Sequence, residues 1–253
     1  IITGAVASAQ NLVKSIHNAG ISVENIVLEP VASAGAVLPN DEKSHGVVLA
    51  DMGGGTTDIV IYKDGALHHT AVLSLGGDHV TNDIAQLLKI TRQEAERLKR
   101  HRGCACVDLV DQNDVIPIST VGGVRKPRFI TRQDLAEIIQ CRMEEFLSLI
   151  GQEVYNSQLN VPAGVVLTGG TALLDGLLEL AEQTFPCPVR VGYPRPLKGL
   201  TEKVHSPIYA TGVGLVLYGA MEHYSESKRT FIKGTNLFDQ IFKRMKDWFQ
   251  DYF

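Results

Sequence analysis

Two glycine turns, each ending a short apolar run, restrict this chain more than any other feature. In VVLADMGGGTTDIVIYKDG, residues 47–65, three glycines separate an acidic residue from two threonines. In VVLTGGTALLDG, residues 165–176, a second apolar run ends in Gly169-Gly170-Thr171. A continuous apolar run of this length reads as a strand buried on both faces. Glycines at its end let backbone N–H groups converge on an anion with no β-carbon in the way. The first turn leads into another strand and the second into a helix, where free N–H groups and the helix dipole favour an anion. Neither turn carries the GxxxxGK[ST] pattern or the strand-to-helix GxGxxG pattern. Each turn alone can also be a plain tight turn.

The remaining elements follow from periodicity. Residues 5–19 form one helical face with Gly20 as stop, 21–29 read as a short strand, and a second helix starts at Pro30. Residues 39–46 read as a polar loop. Three β runs follow, at 46–51, 57–63 and 66–75, the last two joined by Asp64-Gly65, a two-residue hairpin signal. Helices are expected over 78–102, broken near Thr91, and over 132–156 with Thr131 as N-cap and Asp134 at the third helical position. Short strands and loops fill 103–130; a helix over 171–184, a strand in CPVRVGY and a helix over 206–221 complete the pattern. Gly212 and Gly214 inside that last helix each cost about 1 kcal/mol relative to alanine, which implies close helix packing. Alternating strands and helices with three consecutive antiparallel strands predict an α/β fold with a mixed sheet.

Composition narrows the function classes. With 253 residues, 44% of them hydrophobic, the chain can bury a sizeable core, and a net charge of −4 argues against nucleic acid as partner. No apolar run approaches the ~18 residues of a membrane span and no signal peptide is legible, so a cytosolic protein is expected. Cys104, Cys106, Cys141 and Cys187 do not form a disulfide framework, and neither the C-x-C pair nor His68-His69 has metal-ligand spacing. The chain opens at Ile1 directly into a helical pattern, so an N-terminal part is expected to precede it.

The segment NLFDQIFKRMKDWFQDYF has a different character. At about 100° per residue, Leu237, Phe238, Ile241, Phe242, Met245, Trp248, Phe249, Tyr252 and Phe253 share one arc, and every polar residue falls on the other. Six of these nine are aromatic, in a chain that is 6% aromatic overall. Three basic and three acidic residues cancel, so attachment to lipid would rest on apolar area. An interfacial membrane helix after a linker at 222–235 is expected, with a docked helix as the alternative.

Taken in order, LEPVASAGA, DMGGGTTD, VVLTGGTALLDG and IYATGVGLVLYG resemble the connect 1, phosphate 2, adenosine and connect 2 motifs of the superfamily of actin, heat-shock chaperone ATPases and sugar kinases. With LSLGGDHVTNDIA and the aromatic tail, the whole chain resembles the FtsA family of bacterial cell-division proteins. The resemblance implies an actin-like, ribonuclease H-like mixed sheet with flanking helices, a small inserted α+β subdomain and a C-terminal amphipathic helix. It divides the chain into a remnant of the first lobe (1–45), a second lobe (46–77 and 132–205) interrupted by the inserted subdomain (78–131), the connect 2 helix (206–221), a linker (222–235) and a membrane-targeting helix (236–253).

The resemblance also implies ATP and magnesium as cofactors. Asp51 would orient a water on magnesium, Gly53, Gly54, Gly55 and Thr56 would surround the β and γ phosphates, and Glu29 would position the attacking water. Gly169, Gly170 and Thr171 would face the adenosine. Glu96 and Lys99 would contact the ribose and base, unless Glu96 and Arg100 form an ordinary i,i+4 surface pair. Further implications are polymerisation, weak ATPase activity at most, a location at the cytoplasmic face of the inner membrane at the division site, contact with other division proteins, and FtsZ as partner through the inserted subdomain. A first phosphate loop belongs to the opposite lobe of the superfamily, and no third glycine-rich hairpin supplies it, so the chain is expected to be the last two thirds of such a protein and to bind ATP weakly. A phosphotransferase or ATPase and a pilus-assembly actin homologue are the alternatives.

Overall fold

A computed structural model describes residues 5–118, 128–195 and 201–234, and only the backbone of residues 201–202 and 223–234. The elements run α1 (Val6–Asn18), α2 (Glu29–Val37), α3 (Asn40–His45), β1 (Val47–Met52), β2 (Thr57–Lys63), β3 (Ala66–Leu73), α4 (Gly77–Leu88), α5 (Arg92–Arg102), β4 (Val115–Ile118), β5 (Arg128–Thr131), α6 (Arg132–Ser157), β6 (Val165–Thr168), α7 (Leu177–Thr184), β7 (Val189–Val191), α8 (Thr201–Val204) and α9 (Ala210–Gly234).

The main sheet has the order β3-β2-β1-β6-β7. β1, β2 and β3 are antiparallel neighbours, whereas β1–β6 and β6–β7 are parallel. This is the expected mixed sheet. Asp64 and Gly65 both have positive φ, 51° and 75°, as a two-residue turn between right-twisted strands requires.

Both faces of β1 are covered, so all six of its residues are buried. Val48, Ala50 and Met52 pack with Val80 and Ile84 of α4 and with Ile139, Met143 and Phe146 of α6. Val47 and Leu49 pack on the opposite face with Ala34 and Val37 of α2 and Val213 of α9. Where α2 meets α9, a Cβ on Gly214 would run into the Ala32 carbonyl, so the expected close packing exists at this glycine. At Gly212 a Cβ would meet nothing within 4 Å.

Helices α4 and α5 and the β4–β5 pair share this core: Leu98, Ile116, Ile118 and Ile130 belong to the same buried cluster as Met52, Ile84 and Ile139. Helix α6 begins with a reciprocal cap: the Asp134 N–H donates to Thr131 Oγ1 (3.0 Å) and the Thr131 N–H donates to Asp134 Oδ2 (2.9 Å).

Local expectations fail at four places. Residues 21–28 form no strand; no described strand lies beside them to take their backbone hydrogen bonds. The polar stretch 40–45 is a short helix, with Asp41 and Glu42 in its first turn, Lys43 and His45 in its last, and Gly46 after it. The expected helix 171–184 is a 3-10 turn, Gly170–Leu173, followed by α7, because Gly176 at φ 75° interrupts it. The stretch after 221, read as a linker, continues α9 to Gly234. The aromatic segment with Leu237, Phe238, Ile241, Phe242, Met245, Trp248, Phe249 and Tyr252 lies outside the described residues.

Candidate functional site

Parallel pairing of β1 with β6 places the two glycine turns side by side, since Asp51 is the register partner of Thr168. The turns are also tied to each other. Thr171 donates its hydroxyl to the Gly53 carbonyl (2.9 Å), a contact between residues 118 apart in sequence. Gly169 has φ 86° and ψ 176°, a region open essentially to glycine alone. A Cβ there would lie 2.5 Å from Asp51 Oδ1 and 2.6 Å from the Met52 carbonyl.

The first turn is held from behind by α4. The Gly53 and Gly54 carbonyls accept the N–H groups of Gly77 (3.0 Å) and Asp78 (2.8 Å), the first free donors of that helix. Gly76 has no room for a Cβ against the Gly54 carbonyl. In front, the turn is open: a Cβ on Gly55 would meet nothing within 4 Å, and one on Gly54 only Asp78 Oδ1 at 4.0 Å.

A cavity of about 420 Å³ opens at this edge, lined on one side by Gly53, Gly54, Gly170 and Thr171 and on the other by Glu96, Lys99 and Arg100 of α5. Glu96 and Lys99 form an i,i+3 ion pair with each other, 2.7 Å apart. Lys99 Nζ also donates to the Gly77 carbonyl (2.9 Å) and to Thr81 Oγ1 (2.8 Å), so its three protons are committed within the protein. Thr81 in turn donates to Glu96 Oε2 (2.5 Å). Burial pushes the Glu96 carboxyl up, but hydrogen bonds from Lys99 and Thr81 and the charges of Lys99 and Arg100 prevail and hold it below the ordinary glutamate value. Lys99 thus orients Glu96 and α4, while the exposed Arg100 carries the charge at the mouth of the cavity.

Asp51, the penultimate residue of β1, lies behind the glycines and is only 7% exposed. Its Oδ2 accepts hydrogen bonds from Ser33 Oγ (2.5 Å) and Thr211 Oγ1 (3.2 Å). Burial raises its carboxyl above the ordinary aspartate value, and the two hydroxyls oppose that rise. Asp58 is also raised, by burial first and by the charge of Asp51, against a hydrogen bond from Thr56. Glu29 lies exposed at the start of α2, outside the cavity lining. Its carboxyl is raised by partial burial and by the charges of Asp58 and Asp51, and lowered by a hydrogen bond from Thr211.

The structure therefore assembles Asp51, Gly53, Gly54, Gly169, Gly170, Thr171, Glu96 and Lys99 around one edge, with Gly55, Thr56 and Glu29 at its outer rim. Sequence reasoning passed over Ser33, Thr211, Asp58 and Thr81. Asp58 closes the quoted DMGGGTTD run and was legible there; the hydroxyls carry no periodic signal. Among the described residues no group of three His, Cys, Asp or Glu side chains is placed to hold a metal ion directly. The four cysteines are free thiols.

The donor set still fits a magnesium nucleotide. A single buried carboxylate behind a glycine rim, with open space in front of Gly54 and Gly55, suits a cation held through water and phosphate rather than by an all-protein cage.

Comparison with known families places the chain and its fold. The model of the cell division protein FtsA matches residues 48–214. The chain belongs to the FtsA family. Cell division protein FtsA of Pseudomonas aeruginosa is 43% identical over 260 residues, covering 100% of this chain and 62% of that protein. FtsA of Escherichia coli K12 is 36% identical, over 97% of this chain and 60% of that protein. The chain thus spans about six tenths of the length of these FtsA relatives. Among solved structures, MreB5 of Spiroplasma citri bound to AMPPNP superposes with a TM-score of 0.70 at 17% identity, covering 89% of this chain and 68% of that one. A PilM–PilN type IV pilus biogenesis complex superposes at 0.62 and 19%, covering 83% and 57%. These establish the actin-like fold that this FtsA-family chain shares.

Proposed function

We propose that this chain forms one wall of a magnesium-ATP site in an actin-like division protein, which polymerises and tethers the tubulin-like FtsZ to the cytoplasmic face of the membrane. One observation carries the nucleotide reading. Gly54 and Gly55 occupy positions where the fold has room for a side chain, at the rim of a cavity whose other walls are Gly170, Thr171 and Glu96. Glycine at such positions serves something that approaches from outside.

In this reading Gly54, Gly55 and Thr56 bind the β and γ phosphates through their backbone N–H groups, Gly53, whose N–H donates to the Thr56 carbonyl (2.9 Å), shapes the turn around them, and Gly169, Gly170 and Thr171 line the adenosine side. Glu96, oriented by Lys99, accepts from the ribose. Asp51 holds a water of the cation, and Glu29, at the rim, orients water at the far side. Bound magnesium ATP would supply the polarised triphosphate. The inserted subdomain takes the FtsZ tail, and residues 236–253 lie in the membrane interface. One such helix binds reversibly, and a polymer gains roughly 10² to 10⁴ by avidity.

Calorimetric titration of the chain with magnesium ATP tests the site. Gly54→Ala and Gly55→Ala are expected to fold normally and to lose ATP affinity about tenfold or more, because the new Cβ stands between the phosphate and the backbone N–H groups and weakens a charge-assisted contact. Unchanged affinity in both would remove the phosphate role from this turn. Co-sedimentation with liposomes, with and without residues 236–253, tests the tether; equal binding would sink it.

A further inference from the structure

The carboxylate of Asp51 sits at the meeting point of three elements. Ser33 Oγ reaches its Oδ2 from α2 at 2.5 Å, and Thr211 Oγ1 reaches the same oxygen from α9 at 3.2 Å. The two hydroxyls lie 2.9 Å from each other, closing a triangle. Ser33 is fully buried and Thr211 half-buried. Asp51 Oδ1 accepts no hydrogen bond among the described residues and lies beside the Gly169 backbone, at the junction of the two turns.

An aspartate χ2 is broad and nearly two-fold, so which oxygen faces the site must be imposed from outside. Here the imposition comes entirely from the crossing of α2 on α9. Ser33 follows Ala32, whose carbonyl abuts Gly214, and Thr211 lies one helical turn before Gly214 on the same face of α9. The backbones touch at Gly214, which fixes the separation at which the two hydroxyls meet. A shift of about an ångström in that crossing exceeds the tolerance of these hydrogen bonds.

We infer that Ser33 and Thr211 are positioning residues that lock Oδ2 of Asp51 and so present Oδ1 to the hydrated cation of the nucleotide, making magnesium-dependent nucleotide binding responsive to the packing of α2 on α9. The inference rests on the nucleotide reading proposed above. It assigns a function to two hydroxyls that touch neither nucleotide nor metal. It also gives the small residues of α2 a purpose beyond packing, because a bulkier α2 would hold Ser33 out of reach.

The test is the magnesium-dependent gain in ATP affinity, the ratio of dissociation constants measured by calorimetry in EDTA and in magnesium chloride. Ser33→Ala and Thr211→Val are expected to shrink that gain about three- to tenfold, as loss of a hydrogen bond to a charged acceptor implies. Metal-free affinity should be unchanged. Thr211→Ser keeps the hydroxyl at a half-buried position and is expected to retain the wild-type gain. It also guards against a Ser33→Ala protein that fails to fold.

Three outcomes overturn the inference while leaving the nucleotide site standing. One is a wild-type gain in both Ser33→Ala and Thr211→Val; another is a loss in Thr211→Ser as large as in Thr211→Val, which would make shape and not the hydroxyl responsible. The third, equal loss of metal-free affinity in all variants, would reduce the triangle to a structural role. If wild type shows no gain and Asp51→Asn binds ATP as well as wild type, the nucleotide reading itself fails and takes the inference with it.

Discussion

The two glycine turns look alike in sequence and are built for different ends. At Gly169 the glycine serves the fold: its backbone lies at φ 86°, and a Cβ would strike Asp51 and the Met52 carbonyl. Gly54 and Gly55 serve no internal need, since their φ values are not positive and a Cβ would stand in open space. A glycine that packing does not require is the one that points to a visitor. The plain tight-turn reading therefore suffices at Gly169, whereas the proposed phosphate role rests on the open first turn.

Substitutions can break this contrast. Gly169→Ala combines a glycine-only conformation with overpacking and should cost about 3 kcal/mol or more of stability. Denaturant unfolding would show it, and a loss below about 1 kcal/mol would mean that the second turn is as permissive as the first. Thr171→Val removes the hydroxyl that ties the turns together. It should cost about 1 kcal/mol, because the Gly53 carbonyl keeps its bond from the Gly77 N–H.

Asp51→Asn acts in the opposite direction. Burial raises the folded-state pKa of Asp51, so the stability linked to its protonation is present at low pH and is lost as pH rises through the folded value. The asparagine variant should be the more stable protein at pH 7, with the advantage shrinking on acidification. Removing the charge should also let Glu29 and Asp58 titrate lower, readable by NMR of the carboxyl carbons. The smallest change belongs to the open turn. Gly54→Ala and Gly55→Ala should leave stability within about 0.5 kcal/mol, and a larger loss would return those glycines to the fold.

Much of the fold was legible because its signals are local. The Thr131–Asp134 cap, the Asp64-Gly65 hairpin and the break near Thr91 each rest on chemistry within a few residues, and each stands in the structure. The expected strand at 21–29 failed for the complementary reason: its apolar residues were read correctly, but no partner strand lies beside them. Lys99 was legible as a cavity residue, whereas its saturation by Gly77, Thr81 and Glu96 depends on α4 lying against α5.

From the sequence alone came most of the elements and the two glycine turns, because periodicity and turn chemistry are properties of neighbouring residues, and the resemblance to the family came from four motifs in order. Only the tertiary structure decided that β1 pairs with β6, that Thr171 therefore reaches Gly53, and that hydroxyls from α2 and α9 converge on one oxygen of Asp51. The physical reason is that these hydrogen bonds join residues far apart in the chain, and a hydroxyl carries no periodic signal that could announce its partner.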